Sequence, residues 1–287
     1  MHIGECEMTF AVRDYDLDAT LMSGQAFRWR WSEGAWEGVI GAHWVRLRAC
    51  EGGIVAETAL PIGDWSWLRE YLQIEVDLDA VLLSFPDDEP MRAAVAACRG
   101  LRLLRQEPWE CLASFILSSS KQIVQIQQIV SVLCERFGRA LLTPLGHEPV
   151  YSFPTADRLA AASEGELRNC KMGFRAPNLR ATAKAIAEGA INLESLRTRT
   201  VQEAREELLK LPGVGAKIAN CVLLFAYGFQ AAFPVDVWVM KALRQLYFAK
   251  RRPSRQRLLR FTATHFGAYA GYAQQYLFHY MRTKRDL

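Results

Sequence analysis

Up to about residue 85 the chain breaks into short runs rich in Trp, Val and Ile, at 26–31, 36–40, 44–48 and 54–57, each bounded by turn residues. Runs of that length and composition predict twisted antiparallel strands. From about Met91 the apolar spacing changes to that of helices, over 109–117, 123–137, 156–162, 164–171, 178–188 and 201–211. Pro86-Asp87-Asp88-Glu89-Pro90 marks the change, and the Pro- and Gly-rich stretch 143–154 reads as a connector between helical layers. The pattern predicts an α+β chain. An N-terminal twisted antiparallel β-sheet domain, 1–88, packs on a two-lobed helical body, 89–287, with a cleft between lobes as the expected place for a site.

Two helices at about 201–228 flank the sequence Leu211-Pro212-Gly213-Val214-Gly215-Ala216-Lys217. Glycines tolerate a tight turn and leave room for a close-approaching group. Because the turn opens a helix, its unpaired N–H groups and the positive end of the dipole form a sequence-independent site for phosphate. An ordinary helix-to-helix turn would carry the same glycines, yet a lysine in the first turn opposes the dipole, which leans toward a chemical use of Lys217. Pro234-Val235-Asp236 follows. Asp236 suits a helix N-cap, and one oxygen can cap while the other faces a cation. Lys217 and Cys221 lie four apart and so share a helix face, as do Gln274 and Phe278, an amide able to read a base edge beside an aromatic able to stack on it.

Composition adds limits. A net charge of +4 over 287 residues does not by itself name a nucleic-acid partner, although positive charge gathers in 250–257 and 282–285. Seven cysteines without short paired spacings suit reduced thiols inside a cell and supply no C-x-x-C metal pattern. No secretory leader or bilayer-length apolar run is legible, so a cytoplasmic, nucleoid-associated location is expected.

Taken together, these segments resemble the 8-oxoguanine DNA glycosylase family of the helix-hairpin-helix glycosylase superfamily. The match is carried by Ser23-Gly24-Gln25-Ala26-Phe27-Arg28-Trp29, Arg102-Leu103-Leu104-Arg105-Gln106, Pro108 with Glu110-Cys111, the hairpin, Pro234-Val235-Asp236-Val237, and 269–278. The resemblance implies a bifunctional glycosylase and abasic lyase acting on duplex DNA with oxidised guanine opposite cytosine. Lys217 would be the nucleophile and Asp236 the catalytic carboxylate. Gly24 would accept the N7 hydrogen of the lesion, Gln274 would read its Watson–Crick edge, and Cys221 and Phe278 would sandwich the extruded base. Phe174 aligns with the aromatic wedge and Arg175 with an arginine on the opposite cytosine, while Gly213, Val214 and Gly215 grip the backbone. A monomer is implied without a cofactor or iron–sulfur cluster, leaving open a monovalent or divalent cation at the hairpin.

The pattern departs in three places. Ser120, Lys121 and Gln122 stand where the human-type family has three asparagines that read the opposite base, Gln125 replaces an arginine, and Trp238 replaces a histidine near the lesion phosphate. Shorter loops and Gln122 suit a bacterial-type member. The competing readings are a non-catalytic helix-hairpin-helix DNA-binding protein and a glycosylase of the same superfamily for another damaged base.

Overall fold

The structure, a computed structural model, describes residues 5–119, 121–248 and 253–284. Its sheet has the order β1-β5-β4-β3-β2, from β1 (Glu5–Ala11), β2 (Arg30–Ser32), β3 (Ala35–Ile40), β4 (His43–Cys50) and β5 (Gly53–Ile62), every pair antiparallel. The β2–β3 turn places Glu33 and Gly34 both at positive φ, +48° and +78°, the twist a two-residue hairpin needs. One sheet face is dry: Phe10, Trp36, Val45, Leu47, Ile54 and Ala56 pack with Trp65, Leu68 and Leu72 of the adjoining helical segment.

The strand expectation for 26–31 needs correction, because only its end enters β2. The alternating side chains there make tertiary contacts instead of a ladder: Trp29 Nε1 donates to the Tyr71 hydroxyl at 2.9 Å, and Arg28 pairs with Glu110 at 3.3 Å. Helices also begin before Met91, at Leu17–Met22, Ser66–Leu72 and Leu78–Leu83; the first and last are capped by Asp16 and Asp77. The connector 143–154 contains a strand, Val150–Tyr151, which pairs with Ala140–Leu141. The helix expected over 164–171 is shorter, Glu164–Leu167, and gives way to an irregular turn in which Lys171 takes a φ of +64°.

The helical body falls into two groups. Glu89–Cys98 and Val237–Ala242 pack on the long helix Ala270–Thr283, whereas Ala156–Ala161, Glu164–Leu167 and Ala176–Ala187 pack together, with Pro108–Leu117 beside them. Pro108–Leu117 also contacts Ala216–Phe225, the second helix of the hairpin, which thereby sits at the seam. The sheet domain is pinned to this seam by Gln25. Its buried amide donates to the Arg102 carbonyl at 2.8 Å and accepts from Leu104 N at 2.8 Å, while Gln106 donates to the Gln25 carbonyl at 2.7 Å. That triple tie fixes the neighbouring Gly24 turn against the helices.

Candidate active site

The hairpin starts with Val201–Leu209, whose N-cap Thr200 and Glu203 form a capping box. Gly213 has φ +77°, and a Cβ there would stand 2.8 Å from Asn178 Cβ, so the turn requires glycine for both backbone and space. Gly215 is extended and faces open space, with nothing within 4 Å of where its Cβ would lie. Among the residues expected to grip DNA here, Val214 differs from expectation. Its side chain is buried and its N–H already donates to the Leu211 carbonyl at 3.1 Å, so the free amides are those opening Ala216–Phe225. The Pro212 carbonyl accepts from Thr182 Oγ1 at 2.9 Å. Among the described residues no group of three His, Cys, Asp or Glu side chains is arranged to hold a metal, so a hairpin cation would depend on main-chain carbonyls.

Lys217, in the first turn after Gly215, points into a narrow cavity of about 40 Å³. Five segments meet there: Gly24 from the sheet domain, Phe115, the hairpin helix with Lys217, Cys221 and Phe225, the Pro234–Asp236 stretch, and Gln274, Gln275 and Phe278 from the last helix. Lys217 Nζ donates to Ser118 Oγ at 3.0 Å and lies 5.0 Å from the centre of the Phe115 ring. Asp236 caps Val237–Ala242 with one oxygen, Oδ1 accepting from Trp238 N at 2.9 Å and Val239 N at 2.8 Å. Its other oxygen is left for the site. Burial pushes the Asp236 carboxyl above the usual aspartate value, and the two N–H groups and the Lys217 and Arg282 charges pull it back.

The residues expected to recognise the base surround this pair. A Cβ on Gly24, at φ +73°, would lie 2.5 Å from Ile123 Cδ1. Gln274 is 3 % exposed, and its Oε1 is buried without a hydrogen-bond partner. An orphaned acceptor of that kind costs about 1–3 kcal/mol. Cys221 is buried, its thiol pushed up to about 11, so it meets a guest as a neutral, polarisable surface. Phe278 is half-buried opposite. The cavity has room for about one water, so a purine enters only when its lining moves.

A larger cavity of about 610 Å³ lies between the sheet and Ile123–Phe137, and none of the expected site residues reaches it. Some of its polar groups pair with one another: Arg30 donates to Ser131 Oγ at 2.7 Å and His147 meets Glu37 at 3.4 Å. Size therefore does not locate the chemistry.

Toward the outer face, Phe174 is 64 % exposed on the irregular turn, as a wedge requires. Arg175 is 3 % exposed, 4.2 Å from the Phe174 ring centre, and donates to the carbonyls of Met172 and Ser119. Arg175 is thus folded inward and braces the loop before Lys121. Gln122 begins Ile123–Phe137, its N–H held by Gln125 Oε1 at 3.1 Å. Ser120 lies outside the described residues, as do Lys250, Arg251, Arg252 and Arg285 of the basic runs. Ser118, Phe115 and Gln275 were missed from the sequence. Gln275 adjoins Gln274 and donates to the Ser23 carbonyl at 2.9 Å, holding the Gly24 turn from the other side.

Residues 7–112 match the 8-oxoguanine DNA glycosylase N-terminal domain, and residues 113–264 the HhH-GPD superfamily of base excision DNA repair proteins. The chain belongs to the 8-oxoguanine DNA glycosylase family. Among curated members, a probable N-glycosylase/DNA lyase of Methanothermobacter thermautotrophicus is 30 % identical, with 96 % of each chain covered. The N-glycosylase/DNA lyase OGG1 of Arabidopsis thaliana is 35 % identical over 91 % of this chain and 76 % of its own. The 8-oxoguanine glycosylase/lyase of Clostridium acetobutylicum, solved with duplex DNA containing cytosine opposite 8-oxoguanine, superimposes with a TM-score of 0.89 at 32 % identity, covering 99 % of this chain and 100 % of that one. Among the described residues no helix is long and apolar enough to cross a membrane.

Proposed function

We infer that this member of the glycosylase family excises 8-oxoguanine opposite cytosine from duplex DNA and then cleaves the abasic strand. The observation that carries the reading is a single cavity lined by a lysine, a carboxylate and a buried amide whose acceptor has no partner. A DNA-gripping module without chemistry needs none of the three.

In this reading the hairpin amides and Gly215 hold a backbone phosphate, while Phe174 fills the space vacated by the extruded nucleotide. Lys121 and Gln122 face the opposite cytosine, and Arg175 joins them by swinging outward from the Met172 and Ser119 carbonyls it holds in the free protein. Gly24 and Gln274 discriminate the oxidised base, which lies between Cys221 and Phe278. Lys217, as the free amine, attacks the anomeric carbon as the bond to the base breaks, and the base takes up a proton as it leaves. The ionised Asp236 stabilises positive charge developing on the sugar. The ring opens to a Schiff base between Lys217 and the sugar, which acidifies the adjacent sugar proton and expels the 3′ phosphate by β-elimination. Hydrolysis of the imine then frees Lys217. The reaction needs no metal or organic cofactor, and the protein acts as an intracellular monomer. Residues 1–88 form the domain that lends Gly24, and 89–287 the domain that carries the catalytic pair.

The test is base release from matched duplexes holding 8-oxoguanine opposite cytosine, 8-oxoguanine opposite adenine, or 3-methyladenine. The first is expected to be processed fastest and the last not at all. Release of the alkylated base at a comparable rate would assign the protein to another damaged base.

A further inference from the structure

The last helix carries Gln274, Phe278 and Arg282 at successive four-residue steps, so the three lie along one face. The Arg282 guanidinium stands at the mouth of the lesion cavity. Its Cζ lies 5.5 Å from the centre of the Phe278 ring, and Nη1 donates to the Met22 carbonyl at 3.3 Å. The same Nη1 is 3.6 Å from where a Cβ on Gly24 would sit. One half-exposed cation thus bridges the Gly24 turn and the aromatic wall that closes a cavity of about 40 Å³. Its charge also reaches Asp236.

We propose that Arg282 is a lesion-specific phosphate contact that holds Phe278 across the pocket in the free protein and exchanges this hold for the backbone phosphate of the extruded nucleotide. The inference rests on the base-extruding function proposed above. A nucleotide whose base lies against Phe278, with its sugar between Lys217 and Asp236, brings its own phosphate to this rim. Charge-assisted bonds from arginine to phosphate are roughly twice as strong as those between neutral partners, and they form in pairs. The phosphate therefore outcompetes the neutral Met22 carbonyl, and Phe278 loses its cationic neighbour as the base arrives. An arginine suits the exchange because it never loses its charge. Undamaged duplex leaves its bases stacked and its phosphates outside, so Arg282 takes no part in binding it.

The experiment is fluorescence anisotropy across a salt series, in a Lys217→Gln background that keeps the DNA uncut, on duplexes with and without 8-oxoguanine. On the damaged duplex, Arg282→Met is expected to weaken binding roughly ten- to a hundredfold at low salt and to reduce the slope of log affinity against log salt by about 0.9. On undamaged duplex both quantities stay as in the parent. Arg282→Lys, which keeps the charge, retains the slope and loses part of the affinity. If the parent does not prefer the damaged duplex, the functional reading falls and the proposal with it. A parental preference whose slope survives Arg282→Met, or an equal loss on both duplexes, overturns the proposal alone.

Discussion

Replacing Gln274 by methionine separates the amide's role in recognition from its role in packing. Methionine has nearly the same length and volume and removes both polar atoms. In the free protein Gln274 is 3 % exposed and its Oε1 is an orphaned acceptor, a cost of about 1–3 kcal/mol that the substitution abolishes. Part of that gain is offset by fitting a thioether into the same space, leaving a net stabilisation of about 1 kcal/mol. For a chain of this size the melting temperature rises by about 2–4 °C. Excision moves the opposite way. A paired contact between a side-chain amide and a base edge is worth about 1–3 kcal/mol of discrimination, so single-turnover release of 8-oxoguanine falls by roughly five- to a hundredfold. Thermal unfolding and single-turnover base release, run on the same preparation, read both arms. A Gln274→Met protein that is less stable and still excises at the parental rate would make the amide a packing group with no part in recognition.

Other outcomes follow from the same geometry. Asp236→Asn retains a capping side chain, so the fold persists, while excision drops by about 10²–10³-fold in single-turnover rates; a drop of less than tenfold would remove the carboxylate from the chemistry. Burial raises the Asp236 carboxyl above its ordinary 3.8, so its neutral, inactive form persists to higher pH. The acid limb of the pH–rate profile therefore lies above the ordinary aspartate range, and Asp236→Asn abolishes that limb. Gly213→Ala forces a side chain to φ +77° and toward Asn178, at a cost of about 1–2 kcal/mol from the backbone alone. It is expected to lower the melting temperature and to weaken undamaged and damaged duplexes alike, and binding by anisotropy that loses only the damaged duplex would contradict the hairpin's role.

Much of the fold was legible because its strands are rich in β-branched residues and tryptophan between glycine turns, and its longer helices keep a 3.6-residue period. β1 escaped because its pattern is mostly exposed, with only Phe10 fully inside. The six-residue helices Leu17–Met22 and Leu78–Leu83 are too short for a period to emerge, although Asp16 and Asp77 were readable caps. The segment 26–31 misled because Phe27, Trp29 and Trp31 alternate as in a strand while Trp29 and Arg28 spend their polar atoms on Tyr71 and Glu110. Within the site, Lys217 and Asp236 stood out because a first-turn lysine and a capping aspartate are local features. Ser118 and Phe115 were invisible because what makes them part of the site is a contact across the seam. Arg282 had a signal that went unread, the continuation of the Gln274 and Phe278 spacing by one more step.

In the proposed reaction Lys217 attacks the sugar of a lesion nucleotide. Incubation with an 8-oxoguanine:cytosine duplex in the presence of borohydride reduces any imine and fixes it as a stable link. A covalent protein–DNA adduct is expected with the parent protein and none with Lys217→Gln, each shown to be folded. A folded, base-releasing parent that yields no adduct, or an adduct that survives Lys217→Gln, would contradict attack by Lys217.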